Sequence, residues 1–223
     1  MEIGIGVDGS LGLTFDEERQ IAREAVDLGY TSMWTPEGVG YDSFQLCAMR
    51  WDASRETDSV GLITGIGVCP VAHRSPVAFA MSAATVSALT SGRFILGIGS
   101  GGIYRPAARR MLGLPDRSTL GVMREYLTAI RGLLAGDAIQ VDGEAVSLHD
   151  MRLGVSPPPT PVYLGALGPK MLELGGELAD GISLNWCTPE QIAWSRKLVD
   201  AGSAVTGKAS GSVKFASYIR ICV

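Results

Sequence analysis

The sequence predicts a (β/α) barrel of the TIM type, truncated or shortened after its seventh strand. Three observations predict it. Short apolar runs alternate with longer amphipathic stretches along almost the whole chain. The short runs are apolar on both faces, as strands are when crossover helices cover both sides of a parallel sheet. The same βα rhythm returns through seven strands with one interruption, which suits ring closure better than a doubly wound sheet. A complete barrel usually takes about 250 residues, whereas this chain has 223. The missing eighth unit leaves two readings open: a piece of a longer barrel, or a shortened relative that closes in another way. Either way the expectation is one domain over 1–223, with an insertion at about 136–160.

Each element has a local cause. Ile3–Val7 is the first strand. Thr14 and Glu17 have capping-box spacing, so a helix follows with Ile21, Ala22, Ala25, Val26 and Leu28 on one side and Gly29 at its end. Tyr30–Trp34 is the second strand, and a helix runs from about Ser43 to Arg55. Gly61–Val68 is the third strand, and Pro76 opens a helix that ends near Thr90. Arg93–Ile98 is the fourth strand. After a long interval, Leu120–Leu134 carries Val122, Met123, Tyr126, Leu127, Ile130 and Leu133 at helical spacing. Ile139–Val146 reads as a hairpin turning at Asp142-Gly143, and Pro157-Pro158-Pro159 as a stiff connector. Pro161–Leu164 is the fifth strand, Lys170–Ala179 a helix, and Gly181–Leu184 the sixth strand. Thr188 and Gln191 form a second capping box, with Pro189 at the first helical position. Val213–Val223 is the seventh strand.

Composition narrows the class. Nineteen Lys and Arg against 23 Asp and Glu give a net charge of −4, and 46% of residues are hydrophobic against 19% charged. A chain of this kind buries a sizeable core and is not disordered. It also lacks the basic excess that phosphate neutralisation in a nucleic-acid binder demands. Asp16, Glu17 and Glu18 break the N-terminal region, so it is no signal peptide. The uncharged stretch Ser75–Gly92 is too short and polar to span a bilayer. Cys47, Cys69, Cys187 and Cys222 have no CxxC spacing, and only His73 and His149 could join them at a metal. The expectation is a soluble, reduced, metal-free cytoplasmic protein without membrane or nucleic-acid partners.

Several motifs carry chemistry. Gly97-Ile-Gly99-Ser100-Gly101-Gly102 satisfies GxGxxG after a strand, where backbone amides meet a phosphate without Cβ interference. It sits at the fourth strand, without a helix opening at its third glycine or an acid about twenty residues on. A nicotinamide site therefore fits worse than a phosphate or cofactor loop of another kind, with a plain tight turn as the alternative. Gly165-Ala166-Leu167-Gly168-Pro169-Lys170 follows the fifth strand similarly. Pro169 opens a helix whose free amides suit an anion, though a simple strand-to-helix turn reads equally well. Glu37, after the second strand, is a candidate acid or base, or else a loop cap. His73 reads as a loop residue, and Arg105, Arg109 and Arg110 as a solvated helix face within reach of an anionic ligand.

The combination of Thr64–Val68 with the downstream Arg74-Ser75-Pro76, of Ser91–Gly101, and of Pro161–Ala166 with Gly176–Gly181 resembles the bacterial luciferase-like superfamily. More narrowly, it resembles the branch that depends on the deazaflavin coenzyme F420, the methylenetetrahydromethanopterin reductase type. The resemblance covers essentially the whole chain. It implies a (β/α)8 barrel with a flavin or deazaflavin at the C-terminal face. It places Gly67 and Val68 at a bulge with a non-prolyl cis peptide pressing on the ring system, and Gly99, Ser100 and Gly101 on the loop that meets the cofactor's phosphate arm. Gly165, Ala166, Pro169, Lys170 and Met171 fall on the second cofactor segment. Glu37 falls where relatives carry an acidic residue or histidine, often as an acid–His pair; here Gly38 follows instead.

The resemblance implies an oxidoreductase moving hydride between F420 and a small organic substrate, with Glu37 expected to handle a proton at a pKa raised by apolar surroundings. The alternatives are an FMN-dependent monooxygenase and a non-catalytic flavin-binding protein. Helix 76–90 has no charged residue and only small residues on its candidate outer face, which predicts a homodimer through that helix.

Overall fold

The computed structural model describes residues 2–221. Along the chain its strands are β1 (Gly4–Gly6), β2 (Ser32–Thr35), β3 (Ile63–Ile66), β4 (Cys69–Pro70), β5 (Phe94–Gly99), β6 (Ile139–Asp142), β7 (Ser147–Met151), β8 (Val162–Gly165), β9 (Gly181–Asn185) and β10 (Lys214–Tyr218). The helices are α1 (Phe15–Asp27), α2 (Ser43–Ser54), α3 (Pro76–Leu89), α4 (Pro106–Met111), α5 (Thr119–Ala135), α6 (Pro169–Leu178) and α7 (Pro189–Val205).

Seven parallel strands pair in the order β1-β2-β3-β5-β8-β9-β10, with β4 also alongside β5. The sheet curls into a nearly closed barrel. The first and last strands share no ladder, but the Tyr218 ring occupies the space a side chain on Gly6 would need, 2.4 Å from that absent Cβ. Arg220 reaches Asp8 across the same seam at 3.8 Å. The core lies between sheet and helices, where Ile66, Leu96, Ile98, Leu164, Ile182 and Leu184 pack under the helix layer.

Local chemistry sets the helix ends. Both capping boxes form, Thr14 with Glu17 and Thr188 with Gln191. Ser75 caps α3 by accepting from the Ala78 amide, with Pro76 behind it. At the opposite end of the barrel Asp180 accepts from the Val162 amide at 2.9 Å and pairs with Arg131, clipping β8, β9 and α5 together.

Five expectations need correction. The third strand stops at Ile66; the Gly67–Val68 peptide is cis, and pairing resumes at Cys69–Pro70 beside β5. The hairpin returns later than Val146, at Ser147, because Glu125 of α5 takes the amides of Glu144, Ala145 and Val146 at 3.1, 2.8 and 2.8 Å and withholds them from the ladder. The long interval contains a short helix, α4. On α3, Ala83 is fully buried and the outer face carries Met81 and Leu89, each 57% exposed, so it is not a face of small residues alone. The helical period sends Ala80 and Ala83 inward against α5 and the sheet, and Ala84 is buried beside them. The expected seventh strand is β10, shorter than Val213–Val223; its last two residues, Cys222 and Val223, lie outside the described residues.

Candidate functional site

Strand parity decides which side chains enter the barrel, since successive residues point to opposite faces. In β2, Met33 packs with Ala22 and Ala25 of α1, so it faces the helices. Trp34 therefore faces inward, and its ring fills the space of an absent Gly65 side chain, 2.4 Å from where that Cβ would be. Tyr163 of β8 does the same opposite Gly181, and the Trp34 and Tyr163 ring centres lie 6.1 Å apart. Two aromatic rings thus floor the barrel beneath its C-terminal mouth.

Val68 sits above that floor. A Cβ on Gly99 would lie 2.5 Å from Val68 Cγ2, one on Gly165 3.2 Å from it, and one on Gly97 only 1.9 Å from the Ile66 carbonyl oxygen. The glycines of β5 and β8 are therefore a slot for the β3–β4 crossing. Gly97 and Gly99 make room for that crossing, and Gly101 (φ +56°) would place a Cβ 2.3 Å from Pro70. The open glycines are Gly102 and Gly168, where an added Cβ meets nothing within 4 Å.

The second segment starts on the adjacent strand end, since Ile98 pairs with Leu164 and so Gly99 neighbours Gly165. Ala166 is buried, Met171 is half-buried, and Pro169 and Lys170 are exposed at the first turn of α6. Gly168 caps this helix without a side-chain hydrogen bond; Pro169 has no N–H and the Met171 and Leu172 amides donate to the Gly168 carbonyl at 3.1 and 3.0 Å, which leaves the Lys170 amide for a ligand. A flavin or deazaflavin held here would set its flat ring and anionic arm against these residues. Val68 would offer the ring a stiff apolar surface, and the turn at Ser100–Gly102 and the head of α6 would offer the arm amides and Lys170.

Glu37 lies elsewhere. It shares the parity of Met33 and Thr35, and its carboxylate is buried in the helix layer. Oε1 accepts from Arg74 Nη1, from the Cys69 thiol at 2.9 Å, and contacts His73 Nδ1 at 3.1 Å. Oε2 accepts from the Ser43 hydroxyl, and from the Ser43 amide at 3.3 Å. Arg74 also binds Asp42 and donates to Cys69 Sγ at 3.0 Å, with its guanidinium carbon 4.9 Å from the Phe44 ring centre. Burial pushes the Glu37 carboxyl up, but hydrogen bonds from Arg74, Cys69, Ser43 and His73 outweigh it and hold the pKa down to about 2. The expectation of a raised pKa is thereby reversed. Burial likewise drives the Cys69 thiol upward, and the neighbouring carboxylate adds to that effect.

Glu37, Cys69 and His73 bring three potential ligand atoms within 4.8 Å of one another. Arg74 fills that space with a permanent positive charge, which makes the cluster an ion-pair hub and a poor cation site. Sequence reasoning missed Asp42, Ser43, Cys69 and Arg74 as partners of Glu37, and gave His73 to a loop. The available signal was the alternation Met33-Trp34-Thr35, which already turns position 37 toward the helices. Arg109 pairs with Asp116 at 3.0 Å, whereas Arg105 and Arg110 remain exposed.

Residues 2–223 match the family model described as luciferase-like monooxygenase. The chain belongs to the luciferase-like monooxygenase family. Among family relatives, the 5,10-methylenetetrahydromethanopterin reductase of Archaeoglobus fulgidus is 30% identical over 218 residues, covering 98% of this chain and 64% of that protein. The chain therefore spans about two thirds of the length of this curated relative. Two solved structures share the luciferase-like fold. The F420-dependent tetrahydromethanopterin reductase of Methanopyrus kandleri superposes with a TM-score of 0.82 at 21% identity, over 97% of this chain and 65% of that one. A riboflavin lyase with modified FMN and riboflavin gives 0.81 at 14% identity, over 97% and 61%.

Proposed function

We propose that this luciferase-like chain is an F420-dependent oxidoreductase that transfers a hydride between the deazaflavin and a small organic substrate. The carrying observation is the 30% identity to a methylenetetrahydromethanopterin reductase across 98% of the chain. The site geometry agrees with it: two rings floor the mouth, Val68 stands above them, and two turns with an uncrowded glycine each, Gly102 and Gly168, leave neighbouring strand ends. When bound, the deazaflavin supplies the hydride chemistry. In this reading Val68 supports the ring, and the Ser100–Gly102 turn with the first turn of α6 and Lys170 orients the anionic arm. Glu37 acts as a positioning residue and not as the proton carrier, since a carboxyl held at about 2 and hydrogen-bonded on both oxygens stays ionised near neutrality. Its backbone amide donates to the Val68 carbonyl at 3.2 Å, which ties the hub to the ring support.

A second reading, an FMN-dependent enzyme, is favoured by the flavin-bound structural neighbour. Titration with F420 and with FMN, followed by ring fluorescence, separates them. We expect saturable binding of F420, and turnover of its reduced form that is indifferent to oxygen. Binding of FMN alone, with oxygen-dependent turnover, would replace this reading with the monooxygenase one.

The same reading includes a homodimer through the Met81–Leu89 face of α3 and a cytoplasmic location. No described helix is long and apolar enough to cross a membrane.

A further inference from the structure

The hairpin that interrupts the barrel rhythm carries its polar chemistry on the face turned away from α5. In β6, Ile139 and Val141 are buried against α5, so Gln140 and Asp142 face solvent. Ser147 and His149 of β7 lie across from them, with Asp142 paired to Ser147 and a register shift between Ile139 and Val141. The four side chains form one cluster. His149 Nε2 lies 3.2 Å from the Ser147 hydroxyl, and His149 Nδ1 lies 3.4 Å from Asp142 Oδ1. The Gln140 amide stands between ring and carboxylate, 2.8 Å from His149 Nδ1 and 2.8 Å from Asp142 Oδ2.

We infer that Gln140, Asp142 and His149 form a binding site for a transition-metal ion of the zinc class. Three features carry this. An Nε2–H donated to Ser147 leaves the Nδ1 lone pair aimed at the Asp142 carboxylate, and a ligating imidazole is held in the same way by its other nitrogen. The spacing also fits. Around tetrahedral zinc, bonds of about 2.0–2.2 Å put neighbouring donor atoms about 3.3–3.6 Å apart, and His149 Nδ1 and Asp142 Oδ1 are 3.4 Å apart. Finally, the Gln140 NH2 sets a partial positive charge between two acceptors, where a divalent ion satisfies both more strongly. A half-turn of the same amide presents its oxygen as a third ligand, and water completes the shell on the solvent side. Imidazole with carboxylate and carboxamide oxygens suits zinc or copper better than magnesium or calcium. Cysteine is the partner that the sequence offers His149, whereas the fold supplies an acid and an amide from the neighbouring strand. A bound ion clips β6 to β7 across the register shift. The site is independent of the cofactor reading.

The test titrates the full chain, purified without a histidine tag, with zinc chloride by calorimetry and follows the imidazole signals by NMR. The chain has two histidines, His73 and His149, so each ring reports separately. We expect one zinc ion per chain with a dissociation constant on the order of 10⁻⁵ M, a shift confined to His149, and a melting temperature that rises with zinc. His149→Ala and Asp142→Asn change exposed side chains, and each should weaken binding about tenfold or more. Ser147→Ala removes only the hydrogen bond to the second ring nitrogen. It should weaken binding about tenfold while the melting temperature without zinc stays at the parent value. Parent affinity in His149→Ala, a shift of His73 in place of His149, or no binding at millimolar zinc would overturn the site.

Discussion

Arg74 donates to Glu37 through Nη1 and to Asp42 through Nη2, while its guanidinium carbon lies 4.9 Å from the Phe44 ring centre and 5.8 Å from that of Phe79. One side chain thus joins the end of β2, the head of α2 and the head of α3. Removing it strands a buried carboxylate. Arg74→Met should cost about 3 kcal/mol in urea unfolding. Adding Glu37→Gln should recover part of that loss, because the stranded charge goes with it. Additive losses in the double variant would show that the two residues act independently.

Acid should expose the same hub. Glu37 has a folded-state pKa of about 2, below its ordinary value of 4.5. A depressed carboxyl contributes stability that is fully present above the unfolded pKa and is lost as pH falls toward the folded one. Stability should therefore drop by roughly 2 kcal/mol between about pH 4.5 and 2 on account of this residue. Glu37→Gln, less stable at neutral pH, should show a flatter acid limb when midpoints are compared across that range. An identical slope in parent and variant would place the acid sensitivity in other carboxylates.

The head of α6 allows fold and binding to be separated. Gly168 caps the helix with φ −89° and open space around its Cα, so a side chain enters without strain. Asp is a better cap than Gly by a few tenths of a kcal/mol, yet it sets a negative charge where the proposed phosphate arm approaches. Gly168→Asp should keep or slightly raise the melting temperature and weaken F420 binding about tenfold or more. Unchanged affinity, read by fluorescence, would move the arm away from α6. Gly101→Val is not a clean probe, because its Cβ would collide with Pro70 and φ is +56°.

The proposed dimer has a direct test on the outer face of α3. Met81→Glu with Leu89→Glu changes two exposed positions and leaves the buried alanines alone. Sedimentation should show a dimer for the parent at micromolar concentration and a monomer for the variant. A monomeric parent would remove the dimer from the proposal.

Much of the frame was legible because its causes are local. The two capping boxes, the Pro-led helices and the doubly apolar strands need only neighbours a few residues apart. The hairpin's return strand was not legible, because the competitor for its amides, Glu125, lies about twenty residues upstream on α5. The Glu37 hub failed for the same reason. Its donors come from Ser43, Cys69, His73 and Arg74, three of them more than thirty positions away. The glycine motif was visible but its packing role was not, since a glycine that makes room for Val68 and one that bares an amide look identical in sequence.

Between β1 and β10 the described residues show a ring against a glycine and a long ion pair, with no main-chain ladder. Parting the strands there breaks no backbone hydrogen bond of the sheet, whereas opening at any paired neighbour breaks several. Breathing of the cylinder should therefore be concentrated at this line, with amide deuterium uptake earliest along the outer edges of β1 and β10 and slowest in β3, β5 and β8.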